Sequence, residues 1–276
     1  MVYLLKSFGF CQGVSNSIDI LKKARAEQEK VCSLLPLMHN ERECERLKEE
    51  FSLLDDPEKA DAIIFPAHGH TEEEARRFQN KQTYDAICPF LKARHAFLKN
   101  HQKIAWYLYG KKEHQECLAF LSRFPFLSLI DACRNNYPSL KKENRTGLLV
   151  QSTIEEEPAE QVRAHFEKNS TLLSYLGPCP FYLARKKEAE EFLKDKEISR
   201  FSILILGSKS SSNCQALKRY FQSKYPKAYV ESINAFDDIH PEAFRRQDFL
   251  LISSTSISKE SVLLIKERLE EVTSAL

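Results

Sequence analysis

Six short apolar runs, separated by stretches of helical periodicity, constrain this chain more than any other feature of it. The runs lie at 2–7, 62–65, 104–109, 147–151, 201–206 and 249–252. Helical spacing predicts helices over 14–28, 72–80, 90–100, 159–169, 186–195, 215–224 and 259–272. Alternation of this kind is the pattern of βαβ units, because parallel strands need a crossover long enough to hold a helix. In such sheets ligands gather beyond the carboxyl ends of the strands. Each of the six runs ends in groups that bind or transfer something. They are Cys11 between Gly9 and Gly13, then His68, then His114 with Glu116, then Ser152 with Thr153, then the hydroxyl-rich "GSKSSSN" at 207–213, and finally "SSTSIS" at 253–258.

Charge narrows the functional classes. Forty-one basic and 39 acidic residues leave a net charge of +2, which predicts no nucleic-acid footprint. "EEARRFQNK" and "ERECERLKEE" read as solvated helix faces. No run of eighteen apolar residues exists, so no membrane span is expected. The first ten residues are too short and too polar for a secretory signal, so a cytoplasmic location is expected.

Eight cysteines in a reducing compartment are not expected to pair. No C-x-x-C is present, which excludes zinc ribbons, fingers and ferredoxin-type runs. Most of them read as small buried hydrophobes. Three have a different setting: Cys11 in "GFCQGV", Cys88 in "AICPF" and Cys179 in "GPCPF". Each is poised to open a helix, and together they divide the chain into rough thirds. Three thiolates suit one metal centre with a vacancy, either an iron–sulfur cubane short of one ligand or a zinc with an open position.

The loop at 207–213 enters a helix through Ser211, Ser212 and Asn213, an arrangement able to cradle an anion. It carries neither G-x-x-x-x-G-K-[ST] nor G-x-G-x-x-G, and a plain Ser N-cap accounts for it equally well. His39, His68 and His114 near strand ends suit phosphate oxygens. His70, His95, His101, His165 and His240 read as surface residues. Glu116 is a candidate general acid.

Taken in order, these segments resemble the 4-hydroxy-3-methylbut-2-enyl diphosphate reductases, which complete the non-mevalonate isoprenoid pathway. The resemblance rests on "GFCQGV", "HN" at 39–40, "AHG" at 67–69, "CP" at 88–89, "HQE" at 114–116 and "QST" at 151–153. It continues through Cys179 with Arg185, "GSKSSSN" and the loop around Ser256. It implies an α/β fold of three similar βαβ-type modules, their parallel sheets arranged around a central cavity. The modules would be 12–88, 89–178, and 1–11 with 179–276.

The resemblance further implies a [4Fe-4S] cluster on Cys11, Cys88 and Cys179 with one iron open. His39, His68, His114, Ser211, Ser212, Asn213 and Ser256 would grip the substrate's diphosphate. Glu116 would supply protons, with Ser152 standing where the family places threonine. Electrons would come from a ferredoxin- or flavodoxin-like protein. Gln115 replaces the family's proline, and Tyr182 replaces a small hydroxyl residue. Those departures leave a second expectation open, a non-catalytic relative binding a cluster or a diphosphate as a sensor or partner protein.

Overall fold

The structure is a computed structural model, and it describes residues 1–134 and 136–274. Strand β1 (Val2–Leu4) leads to α1 (Gln12–Glu27), β2 (Val31–Ser33) to α2 (Glu41–Glu50), and β3 (Ala62–Phe65) to α3 (Glu72–Arg77). Next come β4 (Gln82–Asp85) with α4 (Pro89–Asn100), β5 (Ala105–Gly110) with α5 (Gln115–Arg123), and β6 (Leu127–Asp131). Strand β7 (Arg145–Val150) precedes α6 (Glu156–Asn169), and β8 (Thr171–Leu176) precedes α7 (Pro180–Leu193). Strand β9 (Phe201–Leu206) precedes α8 (Ser212–Lys224); β10 (Tyr229–Ile233) and β11 (Asp248–Ser253) are followed by α9 (Lys259–Ser274). The strands form three parallel sheets, ordered β1-β11-β9-β10, β2-β3-β4 and β6-β5-β7-β8.

Two compact units divide the chain. The first holds Met1–Ser15, Pro36–Ser52 and the chain from Pro180 onward; the second holds Asn16–Leu35 and Leu53–Cys179. In the first, β9 and β11 are buried at every position, as expected of parallel strands covered on both faces. Alternation sorts their side chains. Ile203, Ile205, Leu250 and Ile252 face a core with Leu217 and Phe221 of α8. Leu204, Leu206, Phe249 and Leu251 face Val262, Ile265 and Leu269 of α9.

Helix α2 belongs to this unit although β2, which precedes it, belongs to the other. Polar contacts hold it there. Asn40 and Asn234 exchange amide hydrogen bonds at 2.9 and 3.0 Å. Glu43, 3% exposed, accepts from Ser258 N at 2.9 Å and Ser261 Oγ at 2.8 Å. Burial pushes the Glu43 carboxyl upward, but the hydrogen bonds from Ser258, Ser261 and Arg46 outweigh it and leave its pKa lowered. A depressed carboxylate stabilises the fold fully above its unfolded pKa of about 4.3 and loses that contribution as pH falls through the folded value. The melting temperature is therefore expected to drop more steeply between about pH 5 and pH 3 in the wild type than in Glu43→Gln. Parallel melting curves for the two would count against the assignment.

In the second unit, β3 ("AIIF") is buried throughout. Trp106, Leu108 and Leu149 pack with Leu91 and Leu98 of α4 and Phe120 of α5. Tyr109, Leu148 and Val150 pack on the other side with Val162 and Phe166 of α6. Thr71 and Glu74 close a capping box on α3, and Pro89 opens α4 where its missing N–H costs nothing. Among the described residues no helix is long and apolar enough to cross a membrane.

Candidate functional site

One local plan recurs three times. Cys11, Cys88 and Cys179 each stand immediately before a helix (α1, α4 and α7), and each follows an edge strand (β1, β4 and β8). Each donates its backbone N–H to a carbonyl two residues beyond the end of the neighbouring strand. Cys11 bonds Thr255 O past β11 at 3.1 Å, Cys88 bonds Ala67 O past β3 at 3.0 Å, and Cys179 bonds Ser152 O past β7 at 2.9 Å. The three side chains are half-buried, each at the start of a helix.

No disulfide joins any of the eight cysteines. Cys32, Cys117 and Cys214 are core residues, and burial pushes the Cys117 thiol far up and the Cys214 thiol to about 12. Cys44 is half-buried with its Sγ on Met38 O at 3.2 Å, and burial raises its pKa too; Cys133 is exposed.

The third strand of each sheet repeats a plan as well. Strands β9, β5 and β2 lead to α8, α5 and α2, whose caps are Ser211, His114 and Asn40. Ser211 Oγ accepts from Cys214 N at 3.4 Å, so the plain capping role is real. His114 Nδ1 accepts from Glu116 N at 3.2 Å, which places the proton of a neutral ring on Nε2. His39 directly precedes the cap Asn40. Its side chain reaches the surface, yet desolvation by nearby atoms lowers its pKa, and Glu41 opposes this.

The first unit carries Cys11, His39, Ser211, Ser212, Asn213 and Ser256. Ser256 Oγ donates to His39 O at 3.2 Å, and Asn213 Nδ2 donates to Thr255 Oγ1 at 3.0 Å. Asn213 Oδ1 is buried with no hydrogen-bond partner, a polar atom whose cost is relieved by a donor. Thr255 thus links Asn213 through its hydroxyl and Cys11 through its carbonyl. Arg185, 7% exposed, donates to Gly9 O at 2.6 Å, Ser253 O at 3.1 Å and Ser254 O. It fastens the approach to Cys11 against the serine loop.

Gly9 has φ +82°, and a Cβ there would lie 2.4 Å from Lys259 Cγ. Gly13, by contrast, lies in the first turn of α1. Gly9→Ala is expected to cost more than about 1 kcal/mol, because a left-handed backbone penalises any side chain. A thermal melt measures it, and an unchanged midpoint would remove the constraint.

The second unit carries Cys88, Cys179, His68, His114, Glu116 and Ser152. Glu116 is 1% exposed and accepts from Ser152 N at 2.8 Å and Ser152 Oγ at 2.5 Å. Burial pushes its carboxyl above the usual range, while the Arg94 charge and the Ser152 hydrogen bonds pull the other way. The rings of His68 and His114 meet edge to face with centroids 6.4 Å apart. Arg94 was not singled out in the sequence. Its signal was there, since Leu91, Arg94 and Leu98 stand at i, i+3 and i+7 on the buried face of α4.

One expectation needs correction. His70 is buried, 6% exposed, and not a surface residue; its ring stacks on Phe65 at 4.0 Å and meets Arg123 at 3.2 Å. Tyr182 lies in the core of the first unit with Leu5, Leu193 and Phe201.

Among the described residues no three His, Cys, Asp or Glu side chains are gathered around a single-ion position. Thiols are the donors that iron–sulfur clusters take, and Cys11, Cys88 and Cys179 each offer one, half-buried at a helix start on a pinned backbone.

The chain is similar to proteins of known name over most of its length. One is a 4-hydroxy-3-methylbut-2-enyl diphosphate reductase of Aquifex aeolicus, 25% identical over 293 residues, covering 98% of this chain and 96% of that protein. Another, from Dictyoglomus thermophilum, bears the same name and is 24% identical over 245 residues, covering 86% and 85%. The solved E-1-hydroxy-2-methyl-but-2-enyl-4-diphosphate reductase of Plasmodium falciparum shares the fold, with a TM-score of 0.76 at 18% identity, over 99% of this chain and 87% of that one. A second solved structure, an (E)-4-hydroxy-3-methyl-but-2-enyl diphosphate reductase, gives a TM-score of 0.72 at 22% identity, over 98% and 99%. The sequence model of the LytB proteins matches residues 2–270. With its fold and nearly its whole length in register, the chain belongs to the LytB protein family.

Proposed function

We propose that this protein reduces (E)-4-hydroxy-3-methylbut-2-enyl diphosphate to isopentenyl and dimethylallyl diphosphate in the cytoplasm. The observation that carries the proposal is Glu116, a buried carboxyl with raised pKa held by both the backbone and the hydroxyl of Ser152. The same Ser152 holds the backbone of Cys179 through its carbonyl. A buried carboxyl whose pKa is raised therefore shares one partner, Ser152, with a candidate cluster ligand.

Cys11, Cys88 and Cys179 would hold a [4Fe-4S] cluster with one open iron, which when bound supplies the electrons and a place for the substrate hydroxyl. In the overall change the allylic C–O bond breaks, two electrons and two protons enter, and water leaves. His39, His68, His114, Ser211, Ser212, Asn213 and Ser256 would bind the diphosphate oxygens. Grip on a group remote from the reacting carbon supplies binding energy that orients it. Asn213 and the hydroxyls meet the anion as donors, with the start of α8 adding its dipole. Glu116 would pass its proton to the departing hydroxyl, and Ser152 would hold the carboxyl oriented. A ferredoxin- or flavodoxin-like protein would deliver the electrons. The three-module division, 12–88, 89–178, and 1–11 with 179–276, belongs to the same proposal and is supported by the thrice-repeated cysteine corner.

The test is iron and sulfide content on protein prepared without air, followed by turnover with an artificial electron donor. Colourless protein that leaves the substrate unchanged would overturn the proposal. Brown protein without turnover would favour the non-catalytic relative.

A further inference from the structure

Arg94 is a buried arginine in the second unit that the reaction chemistry above does not use. It is 5% exposed, and an unpaired guanidinium at that depth would be costly. Its partners are specific. Nη1 donates to Val150 O at 2.7 Å, and Nη2 donates to Gly177 O. The guanidinium lies 4.0 Å from the centroid of the Phe90 ring. Glu116, Cys179 and Cys88 are all near enough for their charges to bear on it.

The positions of those partners give the residue its meaning. Arg94 projects from α4, the helix that Cys88 opens. Gly177 stands two residues before Cys179, and Val150 two residues before Ser152. Ser152 in turn holds Glu116 and the backbone of Cys179. A single planar fork therefore joins the helix behind one thiol to the loop ahead of the other and to the strand end that presents the acid's partner. The geometry points to Arg94 as the positioning residue of this half of the site, setting the separation of the Cys88 and Cys179 sulfurs. Lysine is a poor substitute, because one ammonium does not reproduce the fixed fork that serves two carbonyls.

This inference rests on the proposed cluster for its role, but not for its test. Wild type, Arg94→Met, Arg94→Lys and Leu98→Ala would be prepared without air; Leu98 is a fully buried core residue of the same helix. In iron-free protein, alkylation rates at individual cysteines would be read by mass spectrometry. Arg94→Met is expected to raise the rates at Cys88 and Cys179 at least about tenfold, with Arg94→Lys between it and wild type. Cys44 and Cys11, in the other unit, are expected to stay within about twofold. Leu98→Ala is expected to lower the melting temperature without singling out those two thiols. Iron retained per chain is expected to fall at least about fourfold in Arg94→Met. Equal alkylation in Arg94→Met and wild type, or the same pattern in Leu98→Ala, would overturn the brace. If wild type itself holds no iron, the proposed reductase falls, while the alkylation comparison still decides the role of Arg94.

Discussion

Glu116→Gln is expected to lower turnover by about 10²–10⁴-fold, the range for loss of a general acid, while iron content stays at the wild-type level. Glutamine keeps the shape of the side chain and an oxygen for Ser152 N, so cluster and fold should survive. What it lacks is the proton. The pH dependence has a definite sign. Burial holds the Glu116 pKa above its ordinary value, so the acid form persists to higher pH than in an exposed glutamate, and turnover should fall as pH rises through the folded pKa. Stability follows the same sign, because a carboxyl with a raised folded pKa favours the fold below its unfolded value and opposes it once ionised. Glu116→Gln should therefore melt higher than wild type on the alkaline side. Turnover within a factor of two of wild type would remove Glu116 from the chemistry.

The second large effect concerns sulfur. Cys11→Ser, Cys88→Ser and Cys179→Ser should each reduce iron from about four per chain to less than one, since thiolate is the ligand that iron–sulfur clusters take. Cys44→Ser and Cys133→Ser should keep the metal. Neither stands at a strand-to-helix corner, and Cys133 is exposed on a loop. Iron and sulfide assays on anaerobic protein read all five. Wild-type iron in any of the first three would strike that residue from the ligand set.

What the sequence showed of the fold depended on burial. Strands β3, β5, β7, β9 and β11 were legible as apolar runs because, apart from single exposed ends at Ala105 and Arg145, their neighbours on both sides press out water. The strands it missed, β2, β4, β6, β8 and β10, are all at sheet edges. Sequences such as "QTYD" and "YVESI" mix charge with apolar residues because one side of an edge strand meets solvent. Helix α5 was missed for a related reason, being short and opening on polar residues. The membership of α2 in the first unit was not legible either. It depends on Asn40 meeting Asn234 and Glu43 meeting Ser258, pairings nearly two hundred or more positions apart.

Of the candidate site, the loop residues were legible because strand ends mark them. Arg94 was hidden, since a buried arginine looks like any helix-surface arginine until its carbonyl partners are known. His70 was misjudged similarly: its depth comes from Phe65 and Arg123 closing over it.

The corners at the three cysteines also bear on how such a protein changes over evolutionary time. The carbonyls that receive the cysteine N–H groups belong to threonine, alanine and serine, three unlike side chains offering an identical peptide oxygen. Substitution in those loops leaves the anchoring atom untouched. Side chains at those three positions are therefore free to change without removing the acceptor on which each sulfur-bearing turn depends.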